Sequence, residues 1–558
     1  MDDAGDVTVE RRSLALDVTL LCALAMVVRL VHIDFAPDVD EMNDLLAARS
    51  LIAHGAPLLD GIHPYTRARL FTYLVAGFMR LFGETLVVAR LPSVLAGVAL
   101  VALVYWWVRA MAGRWAGGIA ALLLAVSPDA IFHSQLVRFY ELHALLFFVG
   151  AVAVYRLTET PLERSQVLAP AMVAAFALLL ALHLQILTAV GLAGLGVWAM
   201  ITVGPRLIDR LAAHRHRVWI GGAVVVSVAA LALLLVRSGA VSSAIRLFNY
   251  SDAWAADSRH NVRFYHWVLL EDYPTFWTLF PVIVLLAAAR RARAAAFCAV
   301  IFGVAFVFHS LAAWKHMRYL QYAMPFYFAL VGMGVAEVLP ALHRRMQRVQ
   351  RMLPRPFASR RWRSLLAAGG IAVTALFLFA GNSAFPMMLR MLAPSGSDAD
   401  PVLAYRKSDW RPVALRLRAL SDSAAVLVSS SDLKALYYLG RLDVILYRDH
   451  LYSDQGWAPE FGEFDKLGRP VISTPASVER LVSCYPTGLV IVEDGAWHAP
   501  WGVPTATAEY LETSLVRVPM PPQSRLKVFR WRTPAAKLTA PCSIVHPPAR
   551  TVAVTSAR

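Results

Sequence analysis

The amino-acid sequence predicts a mainly helical, polytopic membrane protein that carries an α/β domain at its C-terminus. Of its 558 residues, 58% are hydrophobic and only 16% are charged, whereas a soluble protein normally has about a quarter charged residues. Long apolar runs recur as far as residue 382, and nearly every second loop between them is rich in arginine. Beyond that point, helical patterns alternate with short β-branched runs.

The apolar runs define the membrane part. A helix needs roughly 20 apolar residues to cross the hydrocarbon core, and eleven runs approach or reach that length. We therefore expect about eleven transmembrane helices. The runs lie at residues 13–32, 88–108, 115–133, 142–156, 168–184, 186–203, 218–236, 274–289, 295–312, 319–339 and 365–382.

Arginine clusters in alternate loops predict the orientation. The positive-inside rule places them in the cytoplasm, and Arg11 and Arg12 put the N-terminus there, ahead of a retained first helix. All clusters share one side only if residues 67–82 do not cross, so we expect that segment to lie at the outer interface. This sidedness accounts for the net charge of +16 without a nucleic-acid partner. The clusters are Arg109 and Arg114; Arg156 and Arg164; Arg206, Arg210, Arg215 and Arg217; Arg290, Arg291 and Arg293; and eight arginines from Arg344 to Arg363.

The chain divides into a transmembrane domain at residues 1–383 and an extracytoplasmic α/β domain at residues 384–558. Strands are predicted at 425–430, 443–447 and 488–494, between helical stretches. No glycine-rich phosphate loop follows them, which argues against a nucleotide site. The final residues, from His546, have the composition of a disordered end. In an exported domain, Cys484 and Cys542 could pair.

The first outer loop opens with five carboxylates, Asp34, Asp38, Asp40, Glu41 and Asp44. A helix that starts near Asp40 places Asp40, Glu41 and Asp44 on one face. One interpretation is helix capping, in which acidic residues favour the positive end of the helix dipole. The other is chemistry, because adjacent carboxylates are tolerated when they hold a proton, a sugar hydroxyl or a metal ion. Asp38 and Asp40 are the candidate ligands of a divalent metal.

Two further outer segments carry charges at the membrane edge. Arg138 and Glu141 enter an apolar run, where charged groups are costly without partners. Lys315, His316 and Arg318 form a basic cluster on the side that the positive-inside rule disfavours. Such a cluster suits a lipid-linked phosphate, although long basic side chains also anchor helices at interfaces.

Several chemistries have no motif in this chain. The sequence contains no Walker loop, no H-E-x-x-H, no G-x-S-x-G elbow and no C-x-x-C. Asp38-Val-Asp40 matches the D-x-D of nucleotide-sugar enzymes, but the predicted sidedness places it outside, away from nucleotide sugars.

Four stretches, taken in order, resemble the class C membrane glycosyltransferases. They are DVDEMNDLLAARSLIAHG, LFGETLVVARLPSVLAG, SPDAIFHSQLVRFYELHALL and KHMRYLQYAMP. The nearest groups are the protein O-mannosyltransferases of glycosyltransferase family 39 and the transferases that add aminoarabinose to lipid A. The resemblance covers about residues 13–340. It implies the class C glycosyltransferase fold and inverting sugar transfer from a polyprenyl-phosphate donor, on the outer face of the plasma (inner) membrane.

The resemblance also implies site residues. The family's essential acidic residue matches Asp40, with Glu41 beside it, and a second acidic residue matches Glu141. Arg318 and Tyr319 match an R-Y element, which with Lys315, His316 and Arg138 would bind the donor phosphate. The acceptor would be a hydroxyl of a glycan, lipid or protein. One departure is that HPYTRARLF lacks the lysine of the lipid A enzymes' K-P-P-like element.

Two other classes of function fit the charge pattern less well than an enzyme does. A transporter or lipid flippase should place ionisable residues at mid-membrane, whereas here they concentrate at the outer edge. A structural or partner-binding protein would leave the acidic loop and the basic cluster from Lys315 to Arg318 unexplained. The sequence therefore favours a glycosyltransferase.

Overall fold

The computed structural model describes residues 3–159, 164–213, 260–352, 380–393, 409–453, 456–464 and 466–538, with the single positions 219, 226 and 237. The predicted helix at 218–236, most of the one at 365–382, Cys542 and the predicted disordered end lie outside the described residues. The described part is a bundle of long apolar helices joined to a smaller domain built on a β-sheet.

The helices of the bundle follow the apolar runs. In chain order they are α1 (Asp3–Leu30), α2 (Val39–His54), α3 (Arg69–Phe82), α4 (Leu86–Ala112), α5 (Arg114–Val126), α6 (Pro128–Ser134), α7 (Tyr140–Glu159), α8 (Arg164–Leu184), α9 (Thr188–Thr202), α10 (Gly204–Ala213), α11 (Phe264–Asp272), α12 (Pro274–Thr278), α13 (Phe280–Leu311), α14 (Met317–Leu320), α15 (Met324–Met352) and α16 (Ala384–Leu392).

Five of the described helices are long and apolar enough to cross a membrane, and the bent pair α5–α6 makes a sixth. The pair bends by 59° at Ser127, which is extended because a residue before proline avoids the helical region. The predicted count of eleven crossings stays a prediction, since α9 is shorter and two of the predicted runs are largely undescribed.

Helix α13 is a hairpin that contains most of the two runs predicted at 274–289 and 295–312, and α12 forms the start of the first run. Arg291 has non-helical backbone angles, and the rings of Phe280 and Phe302 lie 5.7 Å apart. In one straight helix these residues would be about 33 Å apart, at 1.5 Å per residue. The chain therefore reverses at Arg291, and the two predicted helices pack side by side.

Helix α3 is the segment predicted at the outer interface, and it is strongly amphipathic. Phe71, Val75 and Met79 are buried on one face, while Leu81 and Phe82 are exposed. It packs against α2 and α4. The helix is confirmed, and its position at a membrane interface stays a prediction.

The C-terminal domain confirms the predicted α/β pattern. Its seven-stranded sheet has the order β5-β6-β2-β1-β7-β9-β8, with β6, β2, β1 and β7 mutually parallel and the edges antiparallel. The strands predicted at 425–430, 443–447 and 488–494 are β1, β2 and β7. The strands are β1 (Val426–Ser429), β2 (Val444–Leu446), β3 (Tyr452–Ser453), β4 (Gly456–Trp457), β5 (Glu463–Phe464), β6 (Arg469–Ile472), β7 (Thr487–Glu493), β8 (Val516–Val518) and β9 (Leu526–Arg532), and the helices are α17 (Ala414–Asp422), α18 (Asp432–Leu439), α19 (Pro475–Cys484) and α20 (Thr505–Ser514).

The sheet domain is docked on the first outer loop. Helices α2 and α18 pack together, and one apolar cluster continues from Met42 and Leu45 to Leu433 and Leu436. Arg49 hydrogen-bonds the Tyr437 hydroxyl at 3.0 Å across this contact. Burial of apolar surface from both domains holds the sheet domain over the carboxylate-rich start of α2.

Candidate active site

The start of α2 is fixed by a buried ion pair. The Glu41 carboxylate accepts hydrogen bonds from Arg90 Nε at 2.9 Å and Arg90 Nη2 at 2.7 Å, and both side chains are fully buried. It also accepts from the backbone N–H groups of Asp38 at 3.0 Å and Val137 at 2.7 Å. Glu41 thus connects the start of α2 to α4 and to the segment before α7 that contains Val137. The catalytic role that the sequence assigns to Glu41 stays a prediction, and in this structure both of its carboxylate oxygens accept hydrogen bonds from Arg90 and from backbone N–H groups.

Asp40, one residue earlier, points the other way. Its Oδ2 accepts a hydrogen bond of 2.5 Å from Arg318 Nη1, and its side chain is 43% exposed. Arg138 Nη1 donates to the Asp40 carbonyl oxygen at 3.0 Å. Burial in the recess acts to raise the pKa of Asp40, but the guanidinium groups of Arg138 and Arg318 hold that pKa well below its usual range. The carboxylate is therefore ionised and accessible.

Arg138 joins Asp40 to a second carboxylate. Its Nη1 also lies 3.2 Å from Asp44 Oδ2, and the Thr72 hydroxyl donates to Asp44 Oδ1 at 2.9 Å. Burial raises the pKa of Asp44 to about 6, although Arg138 and Thr72 oppose the rise. Asp44 is enclosed, so its part is to hold Arg138 in place.

A cavity of about 500 Å³ opens beside Asp40. Three cationic side chains and one carboxylate contribute to its wall, so it favours an anionic ligand. The Tyr65 hydroxyl is buried there beside Arg138 without a hydrogen bond of normal geometry. The lining residues are Asp40, Asn43, Leu59, His63, Pro64, Tyr65, Thr66, Arg67, Arg138 and Lys466.

The segment that carries Lys315, His316 and Arg318 brings Arg318 to Asp40. The His316 imidazole accepts a hydrogen bond of 3.2 Å from the Arg318 backbone N–H at the start of α14, and the Tyr265 hydroxyl donates to the His316 carbonyl oxygen at 3.0 Å. Arg318 Nη2 donates to the Tyr319 hydroxyl at 3.2 Å. Lys315 is only 6% exposed, and its ammonium donates to the Ala312 carbonyl oxygen. Arg318 thus contacts Asp40 and Tyr319, whereas the contact of the Lys315 ammonium is with the Ala312 backbone.

Glu141 lies apart from the cavity. Its side chain is fully buried, and Oε1 accepts a hydrogen bond of 2.9 Å from Gln321. The neighbouring Arg29 binds the Ser134 hydroxyl at 3.0 Å. The catalytic role that the sequence assigns to Glu141 stays a prediction, and its contact with Gln321 joins the start of α7 to the segment that follows α14.

The predicted metal site has no cluster around it. Among the residues that the structure describes, no group of three or more His, Cys, Asp or Glu side chains could hold a metal ion. Asp38 is an exposed residue at the start of α2, and Asp40 is paired with Arg318.

Sequence reasoning missed three contributors to the site, namely Arg90, Tyr65 and Lys466. Arg90 carries a visible signal, because a charged residue inside the apolar run LVVARLPSVLAG needs a buried partner. Tyr65 and Lys466 have no such signal, since only the docking of the sheet domain brings them together.

Comparison with solved structures identifies the fold of this chain. No protein-family model matches the sequence, and no curated protein matches it. The structure is similar to ArnT from Cupriavidus metallidurans, with a TM-score of 0.57 at 16% identity, covering 94% of this chain and 99% of that one. The chain has the fold of the class C membrane glycosyltransferases.

Two further solved structures match this chain. ArnT bound to undecaprenyl phosphate matches with a TM-score of 0.57 at 16% identity, covering 95% of this chain and 99% of that one. An oligosaccharyltransferase from Archaeoglobus fulgidus gives 0.49 at 13% identity, covering 76% of this chain and 59% of that one. The class C fold agrees with the helical bundle and sheet domain expected from the sequence.

Proposed function

We propose that the protein is a membrane glycosyltransferase, which moves a sugar from a polyprenyl-phosphate donor to a hydroxyl of a glycan, lipid or protein acceptor. The observation that carries the proposal is the pairing of Arg318 with Asp40, a carboxylate that lines a cationic cavity. The Asp40 carboxylate can take the proton of an acceptor hydroxyl, and the Arg318 guanidinium can bind a phosphate. ArnT, which has been solved bound to undecaprenyl phosphate, has the same fold.

Arg318 and Tyr319 form the donor-phosphate side. A guanidinium binds phosphate oxygens in a bidentate manner, and the only carboxylate on Arg318 among the described residues is Asp40. A donor phosphate that binds Arg318 therefore competes with Asp40. The sequence assigned Lys315 to this phosphate as well, but its contact with Ala312 leaves Arg318 as the principal cation.

Asp40 is the proposed base. Its low pKa while it is paired makes it a weak proton acceptor, since a general base works best when its pKa lies near the working pH. When a phosphate takes over Arg318, one cation that lowers the pKa of Asp40 is neutralised, and that pKa rises. The carboxylate is then released beside the cavity to bind the acceptor hydroxyl.

The proposed step is an in-line displacement with inversion. The acceptor oxygen forms a bond to the anomeric carbon, and its proton passes to Asp40. The bond between that carbon and the phosphate oxygen breaks, and both of its electrons leave with the polyprenyl phosphate. Arg318 stabilises the charge that develops on the leaving phosphate.

We also propose that the site and the sheet domain face the outside of the plasma (inner) membrane. The arginine clusters support this orientation through the positive-inside rule. Cys484 is disulfide-bonded, and disulfides persist in oxidising compartments. The contact of α2 with α18 requires the first outer loop and the sheet domain to share one side.

The proposal is tested by two measurements. Purified protein in lipid nanodiscs should bind undecaprenyl phosphate, and mass spectrometry of envelope glycans and lipid A should show a sugar that is lost when the protein is deleted and restored by the wild-type chain. A chain carrying Asp40→Asn is the matched control and should not restore the sugar. Absence of lipid binding together with unchanged glycans would overturn the proposal.

A further inference from the structure

Residues of both the sheet domain and the membrane domain line the cavity beside Asp40. Lys466, in the short loop between β5 and β6, lines it together with Arg67 and Arg138. Among the described residues, the Lys466 ammonium has neither a hydrogen bond nor a salt bridge. A lysine that lines a cavity without an ion pair suits an anionic ligand, because its charge loses hydration and has no carboxylate in direct contact.

The loop that carries Lys466 is held in place at each of the three residues that follow. Leu467 is fully buried in the apolar cluster shared by the two domains. Gly468 has φ +56°, and an added Cβ would lie 2.9 Å from His63 Nε2. Arg469 Nη2 donates to Asp60 Oδ2 at 3.3 Å. Lys466 is therefore positioned by folded structure on both sides of the domain contact.

The turn at residues 60–63, which this loop contacts, is also held by hydrogen bonds. Asp60, which is buried, accepts hydrogen bonds from the backbone N–H groups of Ile62 at 3.2 Å and His63 at 2.9 Å. The His63 ring lies 3.0 Å from the same carboxylate. This turn precedes Tyr65 and Arg67, so the contact that fixes Lys466 also fixes two other residues of the cavity wall.

The charges around the cavity favour an anion. Asp40 is engaged by Arg318 and Arg138 is engaged by Asp44, which leaves Arg67 and Lys466 without a salt bridge among the described residues. The Tyr65 hydroxyl, on a residue only 7% exposed, adds a hydrogen-bond donor. Two cations and a phenol that converge on one space match the oxygens of a phosphate group.

We infer that Lys466 binds a phosphate group of a substrate, so that the sheet domain supplies part of the active site. This inference rests on the proposed function and extends it to a residue outside the membrane domain. The phosphate belongs either to the polyprenyl donor or to an acidic acceptor. Burial lowers the pKa of Lys466, and Asp432 and Asp40 oppose that change. A bound phosphate would also oppose the lowering of the Lys466 pKa.

The test compares Lys466→Ala and Lys466→Arg with Lys537→Ala, an exposed lysine of the same domain. Binding of undecaprenyl phosphate, with undecaprenol as the phosphate-free control, is measured in nanodiscs. Binding of inorganic phosphate to the lipid-saturated protein is measured second. Lys466→Ala should weaken one of the two by at least about tenfold, Lys466→Arg should largely restore it, and Lys537→Ala should change neither.

The two measurements identify the source of the phosphate. Loss of undecaprenyl phosphate binding assigns Lys466 to the donor, and selective loss of inorganic phosphate binding assigns it to an acidic acceptor. If Lys466→Ala leaves both unchanged while the wild-type chain binds lipid, the inference is overturned and the proposed function stands. If the wild-type chain binds neither ligand, both are overturned.

A second variant separates a contact from a fold defect. Gly468→Ala should push the loop away from His63 and weaken the same binding event, but it should have little further effect in the Lys466→Ala background, because coupled residues are non-additive. Additive losses in the double variant would show that Gly468 acts on folding, and they would count against the placement of Lys466 by this loop.

Discussion

Arg318 Nη1 and Asp40 Oδ2 lie 2.5 Å apart, although they are separated by most of the membrane domain along the chain. The proposed phosphate-binding cation and the proposed base are therefore each other's partner. Any phosphate that binds Arg318 must compete with Asp40, which makes donor binding a means of freeing the base. Donor before acceptor is the order of binding that this contact favours.

Asp40→Asn should abolish most transfer without weakening donor binding, because the neutral amide competes less strongly than the carboxylate for Arg318. Asparagine keeps the size and hydrogen bonding of the side chain but cannot accept the proton, and general-base catalysis is typically worth about 10²–10⁴-fold in rate. Transfer and undecaprenyl phosphate binding are measured on purified protein, with the exposed Asp34→Asn as control. Near-normal transfer by Asp40→Asn would move the search for a base to other carboxylates.

Arg318→Ala should weaken undecaprenyl phosphate binding by about 1.5–3 kcal/mol, the range for a hydrogen bond to a charged group. The change corresponds to about 10- to 150-fold in Kd. Lys315→Ala is the comparison, and its effect should be smaller because its ammonium is turned to Ala312. Equal losses for the two variants would contradict this distinction.

The acidic limb of the pH–rate profile should move upward in Arg318→Gln. Arg138 and Arg318 hold the pKa of Asp40 below its usual range, so the wild-type base stays ionised as the pH falls. Loss of the Arg318 charge raises the pKa of Asp40, and protonation then removes activity at a higher pH. Transfer is measured from about pH 4 to about pH 8. A downward or unchanged limb would show that Asp40 is not the titrating group.

Glu41→Gln should destabilise the protein before it affects chemistry. Removal of one partner of a buried ion pair costs about 3–5 kcal/mol, because Arg90 is left with an uncompensated charge. Thermal unfolding in detergent should show a lower Tm for Glu41→Gln and a nearly unchanged Tm for Asp40→Asn. A normal Tm with lost transfer would restore the catalytic part that the sequence assigned to Glu41.

Cysteine labelling should place Gln350 inside and Asp422 outside. Each position is replaced by cysteine in a chain whose Cys22 and Cys298 are alanine, and intact cells are treated with a membrane-impermeant thiol reagent. Asp422→Cys should react, and Gln350→Cys should react only after permeabilisation. Equal reaction from outside would contradict the orientation that the arginine clusters predict.

Local patterns anticipated much of the fold. The β-branched runs predicted β1, β2 and β7 to within about two residues, since strands require only a short apolar stretch between turns. The amphipathic pattern found α3, and the apolar runs found the long helices. The sequence could not show that the sheet domain packs on α2, because that contact depends on apolar surfaces that look like ordinary core positions on each side.

The site was predicted in part for the same reason. Asp40, Arg138 and Arg318 stand out because charge at a membrane edge is costly, and the structure brings all three together. Glu41 shares that signal but is enclosed by Arg90. Adjacent residues on a helix start point in different directions, so composition alone cannot separate a base from a structural carboxylate.

The reversal at Arg291 decides whether the number of membrane passes before Arg318 is odd or even. In the proposed orientation, the hairpin passes through the membrane twice and ends on the side on which it began, so the segments after it keep the same sidedness. Tyr265 before the hairpin and His316 after it are hydrogen-bonded, as that return requires. If the chain did not reverse at Arg291, it would make one pass fewer, and Arg318 would then lie on the opposite side of the membrane from Asp40.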